Sequence, residues 1–259
     1  MKNIAIVTGA SSGMGKEFAL QISKKVAIDE IWLIARSKEK LNETAKVIKL
    51  ETTVEPKVIP LDLTKDDSFT NIQKRLASEK DNVKILVNSS GFGISGNVID
   101  MDMDRQAEMI DLNCKALFKL THICLPYMTR GSNVVQIASA AAYVPQPKFA
   151  VYAATKSFVL SLSIALHNEL KEYGIGVTAV CPGPVDTNFF KANDKNNAEF
   201  SKFAKVIFKS PQYVAEKSIK AVDKKKIVVN TGLAVKLLYL ATCSYKKIFF
   251  AFLSKSFYR

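Results

Sequence analysis

What this sequence has little of narrows it quickly. It carries four cysteines in 259 residues, Cys114, Cys124, Cys181 and Cys243, and no two of them form CxxC. Its two histidines, His122 and His167, are not spaced to complete a metal site with them. That argues against a zinc-stapled or disulfide-knit fold, and the thiols are expected in the core as small apolar side chains. Linkers of low complexity and internal repeats are missing, so one domain is the natural organisation. Long apolar runs are missing too. The opening MKNIAIVTGASSGMG has an apolar run too short for a signal peptide and passes straight into a glycine loop. With the cysteine usage, this sets the expectation of a reducing, cytoplasmic compartment. The formal net charge is +13, yet no arginine-rich recognition segment accompanies it, so nucleic acid is not an expected partner. An anionic cofactor or a membrane surface accounts for the charge equally well.

What is present is an alternation of short apolar runs with longer helical segments. The runs are 3–9, 30–35, 57–62, 84–89, 133–139, 176–182 and 226–230. They are apolar almost continuously, the pattern of parallel strands buried on both faces. Between them, 13–25, 38–50, 65–79, 104–128, 150–172 and 211–223 read as helices. Repeated strand–helix–strand units imply right-handed crossovers and an α/β fold. The expected architecture is a Rossmann-like, doubly wound parallel sheet of about seven strands with helices on both faces.

The first strand runs into TGASSGMG, where Gly9, Gly13 and Gly15 are spaced GxxxGxG. Glycine lets the backbone turn tightly and approach a pyrophosphate, and the next helix points its N-terminus at the anion. Ser11 and Ser12 add hydroxyl donors, and Met14 belongs to the same loop. An acidic residue that would take the adenosine ribose hydroxyls is expected about twenty residues beyond the last glycine. At 35–37 there is none. Arg36 stands there instead, beside Ser37 and followed by Lys38 and Lys40. An arginine pairs bidentately with a 2′-phosphate, so the cofactor expected is NADP(H).

In AVYAATKSF, Tyr152 and Lys156 stand four apart, which puts a phenol and an ammonium on one helix face. The ammonium favours the phenolate and should bring its proton exchange closer to neutral pH.

Taken together, these motifs resemble the short-chain dehydrogenase/reductase family, in its single-domain form of about 250 residues, over residues 3–230. TGASSGMG is similar to that family's cofactor loop. Asp62, with Leu63 beside it, resembles the aspartate that touches the adenine. Asn113 and Ser139 resemble the catalytic asparagine and serine, and Tyr152 and Lys156 the YxxxK pair. CPGPVDT, with Pro182, Gly183, Val185 and Thr187, is similar to the loop that holds the nicotinamide. Where the family has NNAG, this chain has Asn88-Ser89-Ser90-Gly91: the first Asn and the Gly remain, and a serine replaces the second Asn. The resemblance implies that Tyr152 is the general acid in ketone reduction and the base in alcohol oxidation. By the same resemblance Lys156 lowers the phenol's pKa and holds the nicotinamide ribose, Ser139 polarises the substrate oxygen, and Asn113 holds a water that leads from Lys156 to solvent.

For the substrate, Phe92, Ala141, Tyr143, Phe149, Phe189 and Phe190 suggest an apolar pocket. The resemblance is greatest to the branch with 3-oxoacyl reductases and hydroxysteroid dehydrogenases, which implies a lipophilic ketone or secondary alcohol. It also implies a homodimer or homotetramer built through helices 104–128 and 150–172. Residues 184–210 read as a substrate lid or as a surface loop. Residues 231–259 form a basic, aromatic tail expected to be helical. From Lys224 to Arg259 there are eight Lys/Arg and no Asp/Glu. The tail either packs on the domain or a second subunit, or makes peripheral contact with a membrane. Two other readings stand beside the enzyme: an NADPH-binding sensor or scaffold without turnover, and a membrane-surface protein in which the tail is the working part.

Overall fold

β-Branched and other apolar residues dominate NIAIVT, EIWLIA and NVKILVN, and all three segments are strands with nearly every residue buried. The computed structural model describes residues 1–186 and 208–242. Its strands are β1 (Asn3–Thr8), β2 (Glu30–Ala35), β3 (Glu55–Pro60), β4 (Asn82–Asn88), β5 (Asn133–Ile137), β6 (Gly176–Pro182) and β7 (Val228–Thr231). They form one sheet in the order β3-β2-β1-β4-β5-β6-β7, and every pairing is parallel. The strand order reverses between β1 and β4. A crevice therefore opens beyond the carboxyl ends of these two strands, where open α/β sheets place their ligands.

Helices cover both faces. On one face α1 (Gly13–Lys25), α2 (Lys38–Glu51) and α7 (Pro211–Asp223) bury Phe18, Ile22, Leu41, Val214 and Ile219 against Ala5, Val7, Leu33 and Val87. On the other, α3 (Asp66–Glu79) and α5 (Leu117–Cys124) bury Phe69, Ile72 and Leu120 against Ile4, Ile6, Trp32 and Leu86. A third cluster joins α6 (Ala150–Glu169) to β6 through Val159, Leu160, Ala179 and Cys181.

Two expectations need correction. The helix over 104–128 is not uniform: α4 (Met103–Ile110) passes into a π-helical turn, Asp111–Ala116, before α5. The wider turn carries Asn113, whose side chain is fully engaged by neighbouring segments. π turns inside α-helices commonly mark such functional positions. Cys124 and Cys181 are buried, but Cys114 is only half-buried, and Cys243 lies outside the described residues. Of the placements open to the segment after residue 230, its described start takes the one on the domain. A short helix α8 (Leu233–Thr242) packs Val235, Leu238 and Tyr239 onto the third cluster.

At the opposite end of the sheet from the crevice, buried Glu30 accepts from Trp32 Nε1 at 2.7 Å and pairs with Lys2 and Lys57. Burial works against its charge, and these three donors overcome it, holding its carboxyl below the usual range.

Candidate active site

Gly9 follows β1 with φ +68°, a conformation open to glycine at little cost. A Cβ there would stand 2.9 Å from the Ser89 carbonyl oxygen, and one on Gly15 would stand 2.2 Å from the carbonyl oxygen of Gly9. The loop thus folds back on its own helix and on the end of β4 at backbone contact. The hydroxyl of Thr8 accepts from the N–H groups of Ser89 and Ser90, each at 3.0 Å, which fastens β1 to the loop after β4. Helix α1 starts at Gly13 with no side-chain cap from Ser12 and no acidic residue in its first turn. Its first N–H groups are left for an anion.

These residues line a cleft of ≈ 1500 Å³. That exceeds the roughly 300–1,000 Å³ of an ordinary small-molecule pocket and suits a dinucleotide with a substrate beside it. On its wall stand Gly9, Ser11, Ser12, Gly13, Met14 and Gly15; Arg36, Asp62 and Leu63; Gly91, Phe92, Ser139, Ala141, Phe149, Tyr152 and Lys156; and Pro182, Gly183 and Val185. The topology therefore brings together segments from the ends of β1, β2, β3, β4, β5 and β6. Arg36 is exposed and makes no ion pair among the described residues. Burial works against the Asp62 charge, but the Thr64 N–H and hydroxyl, at 3.0 and 2.8 Å, and the Arg36 guanidinium hold its carboxyl below the usual range.

Tyr152, Ser139 and Lys156 meet at the centre. Ser139 caps the short turn Ala140–Ala142, accepting from Ala141 N–H at 3.1 Å, and its hydroxyl is hydrogen-bonded to the Tyr152 phenol. Lys156 is buried and donates to the Ile137 carbonyl at 2.8 Å. Its ammonium lies 5.8 Å from the Tyr152 ring centroid. Burial pushes the Lys156 amine down to about 8. The Tyr152 ring borders the cleft and is half-buried. Desolvation pushes its phenol up to about 12, with the Ser139 bond pulling the other way. The expectation that Lys156 brings the phenol toward neutrality is therefore not met in this arrangement. Desolvation is the largest influence on the phenol, and the Lys156 ammonium is directed at a backbone carbonyl. At neutral pH the phenol holds its proton.

Asn113 stands behind the wall, 1% exposed. Its Oδ1 accepts from Phe92 N–H at 3.1 Å, and its Nδ2 donates to the Phe92 carbonyl at 2.9 Å and to Thr155 Oγ1 at 3.1 Å. The side chain thereby clamps the Gly91–Phe92 loop to α6, one residue from Lys156. Gly91 is needed in the same place, because a Cβ would meet Asn113 Oδ1 at 2.7 Å. Asn88 does not reach the cleft either. Its Nδ2 donates to Gln136 Oε1 at 2.9 Å and Thr121 Oγ1 at 3.0 Å, and Gln136 Nε2 donates to Thr121 Oγ1 at 2.9 Å. This buried network ties β4 to β5, while the Oγ of Ser89, where the family has its second Asn, is buried without a partner.

Of the substrate-pocket residues, Phe92, Ala141 and Phe149 line the cleft, with Phe149 edge-on to Tyr152 at 6.1 Å. Tyr143 stands outside it. Its hydroxyl donates to Asn230 Oδ1 at 2.6 Å and its ring packs on Tyr239, because the turn after Ser139 swings it toward β7 and α8. Thr187, Phe189 and Phe190 lie outside the described residues, as does most of the segment read as a lid. Its two ends are joined by a parallel bridge between Val185 and Lys209. Thr8, Gln136 and Thr121 escaped the sequence reading, since their signal is a contact between elements far apart in the chain. Lys40, noted beside Arg36, also borders the cleft.

Comparison with known proteins agrees with this geometry. The family model described as "short chain dehydrogenase" matches residues 3–198. An uncharacterized oxidoreductase of Staphylococcus epidermidis is 32% identical over 195 residues, covering 74% of this chain and 82% of that one. The very-long-chain 3-oxoacyl-CoA reductase of Mus musculus is 34% identical over 206 residues, 75% of this chain but only 64% of that enzyme. Among solved structures, a short-chain dehydrogenase from Sphingobium yanoikuyae in complex with NADPH superposes with a TM-score of 0.82 at 25% identity, covering 96% of this chain and 95% of that one. A bulky-bulky ketone specific alcohol dehydrogenase from Comamonas testosteroni does so with 0.77 at 25% identity, over 95% and 93%. With the strand order, the glycine loop and the Ser139–Tyr152–Lys156 cluster all at one cleft, the chain belongs to the short-chain dehydrogenase/reductase family of oxidoreductases.

Proposed function

We propose that the protein is an NADP(H)-dependent oxidoreductase that interconverts a lipophilic ketone and its secondary alcohol, on a 3-oxoacyl compound or a hydroxysteroid. The observation that carries this reading is the meeting of Ser139, Tyr152 and Lys156, with the Lys156 ammonium 5.8 Å from the Tyr152 ring, on the wall of a cleft large enough for dinucleotide and substrate. The names of the mouse and Comamonas relatives point to the same class of carbonyl.

The residues present fit a dinucleotide. The Gly9–Gly15 turn leaves no room for side chains where a pyrophosphate would approach the backbone, and the start of α1 offers uncapped N–H groups. Arg36 and Lys40 border the cleft beyond β2, placed for a 2′-phosphate. Lys156 is the cation for a ribose hydroxyl, and Pro182 to Val185 form the wall on the nicotinamide side. When bound, such a cofactor supplies the hydride. The chain itself provides position and proton. Ser139 donates to the carbonyl oxygen and polarises it, Tyr152 gives that oxygen its proton, and Asn113 keeps the Phe92 edge of the pocket in register with Lys156.

Incubation with NADPH and a panel of 3-oxoacyl thioesters, steroid ketones and short polar ketones tests the reading. The lipophilic members should be reduced at least about tenfold faster than the polar ones. Dinucleotide binding without turnover of any ketone would favour the sensor instead. Reversing the charge at Arg36 should act on cofactor choice. Charge-assisted hydrogen bonds contribute about 1.5–3 kcal/mol, so Arg36→Asp should lower the preference for NADPH over NADH by roughly 10–100-fold. Unchanged discrimination in a binding titration would remove Arg36 from 2′-phosphate recognition.

We also propose that the protein is a homo-oligomer. Ile110, Phe118 and Phe158, on the helices expected to form the contact, are 47%, 48% and 42% exposed, as an unpaired interface would be. Sedimentation at micromolar concentration should give at least a dimer, and a monomer would refute the assembly.

A further inference from the structure

The turn that carries Ser139 has little of its own to hold it in place. Ser139 is followed by Ala140, Ala141 and Ala142, whose methyl groups leave the orientation of the turn to the groups around it. Just before it, the Ala138 N–H donates to the Val180 carbonyl of β6 at 2.8 Å. Within it, the Ala142 carbonyl accepts from Ser157 Oγ of α6 at 3.1 Å. At its end stands Tyr143, whose N–H donates to the Ala140 carbonyl at 3.1 Å. The Tyr143 side chain is buried and leaves the turn for two other elements. Its hydroxyl donates to Asn230 Oδ1 of β7 at 2.6 Å. Its ring packs on Tyr239 of α8, with centroids 5.2 Å apart. Buried Cys181, opposite Asn230 in the β6–β7 pair, lies against both the Tyr143 hydroxyl and the Ser139 N–H.

We propose that Tyr143 is a positioning residue for Ser139: by joining the end of the serine turn to Asn230 of β7 and Tyr239 of α8, it sets where the Ser139 hydroxyl stands. The ring alone would fill the apolar cluster formed by Leu117, Val159, Cys181 and Val235, and a phenylalanine would do that without a polar group to satisfy. The hydroxyl adds what packing lacks, a directional bond to one strand residue, and a buried hydroxyl keeps such a partner. Ser139 and Tyr143 are the two ends of one tight turn, so a displacement of one end is carried to the other.

Helix α8 thereby becomes part of the support of the site. Its Tyr239 meets Tyr143, and its Val235 stands so close to the cleft wall that a Cβ on Gly183 would lie 3.0 Å from Val235 Cγ2. One short helix backs both the serine turn and the wall assigned to the nicotinamide. The inference rests on the proposed function for the role of Ser139 toward the substrate oxygen, and one arm of the test below is read without substrate.

The experiment is a double-mutant cycle on the full chain. Tyr143→Phe keeps the ring and removes the bond to Asn230. With a ketone that the parent reduces, its kcat should fall by about 10–100-fold, as for a reacting group slightly misplaced, with unchanged NADPH affinity to show that it is folded. In a Ser139→Ala background the same substitution should lower kcat by less than about twofold further, because the hydroxyl that it positions is gone. Asn230→Ala should reproduce the loss and add nothing to Tyr143→Phe. The second arm is amide hydrogen exchange without substrate: the Ala141 and Ala142 amides should exchange at least about tenfold faster in Tyr143→Phe, while α1 is unchanged. Full kcat in Tyr143→Phe would overturn the proposal, as would an equal loss with and without Ser139. A parent that reduces no ketone would count against the proposed function instead, and unchanged exchange in the turn would by itself overturn the positioning role.

Discussion

Tyr152→Phe should abolish ketone reduction while leaving NADPH binding intact. The substitution removes one oxygen, and that oxygen is the proposed proton donor. General acid catalysis by a placed side chain contributes about 10²–10⁴-fold, so turnover should fall by that factor or more. The ring remains, so its edge contact with Phe149 and its place on the cleft wall are kept. Loss of the bond to Ser139 frees that hydroxyl but supplies no new acid. Lys156 cannot substitute, because its ammonium is committed to the Ile137 carbonyl. Steady-state rates with a lipophilic ketone, beside a cofactor titration of the same variant, give the check. Retention of more than about a tenth of the activity would remove the phenol from the chemistry, and a parallel loss of NADPH binding would make its role structural.

Gly15→Val should do the opposite, eliminating cofactor binding and much of the stability. The position of a Cβ on Gly15, 2.2 Å from the Gly9 carbonyl oxygen and 2.9 Å from that of Thr8, is incompatible with the present backbone. The obstacle is main chain on both counts, not the end of a flexible side chain, so relief requires α1 to move off β1. Ordinary overpacking costs about 1–3 kcal/mol, and this displacement should cost more, because Phe18, Ala19 and Ile22 of α1 are fully buried. The melting temperature should fall by several degrees or more, and NADPH should no longer bind measurably. A variant that melts normally and binds NADPH would show that the helix–strand approach is not what the glycine serves.

These two positions also show what a sequence can reveal. Gly15 and Tyr152 belong to local spacings, GxxxGxG and YxxxK, whose physical demands fall within a few residues. The buried strands were equally legible, because a parallel sheet covered on both faces writes itself as unbroken apolar runs. Asn113 is marked by its motif, but the contacts of its side chain are not. The bonds to Phe92 and Thr155 span separations of 21 and 42 residues, and no local pattern encodes them. Tyr143 was misplaced for a related reason. It follows Ser139 closely in sequence, yet a turn of three residues sends it to Asn230. The protonation of Tyr152 needed three dimensions as well. Spacing puts an ammonium nearby, but burial decides the sign of the shift. The tail divided along the same line: the inner face of α8 packs on the domain, and its leucine face does not.

The central claim is that the cleft at the ends of β1 and β2 is a dinucleotide site that reads a 2′-phosphate. Side-by-side titration of the unmodified chain with NADPH and NADH, followed by cofactor fluorescence, tests it most directly. The account predicts saturable binding of both, with NADPH bound at least about tenfold more tightly. Equal or tighter binding of NADH would contradict the reading of Arg36, and binding of neither would contradict the assignment of the glycine loop itself.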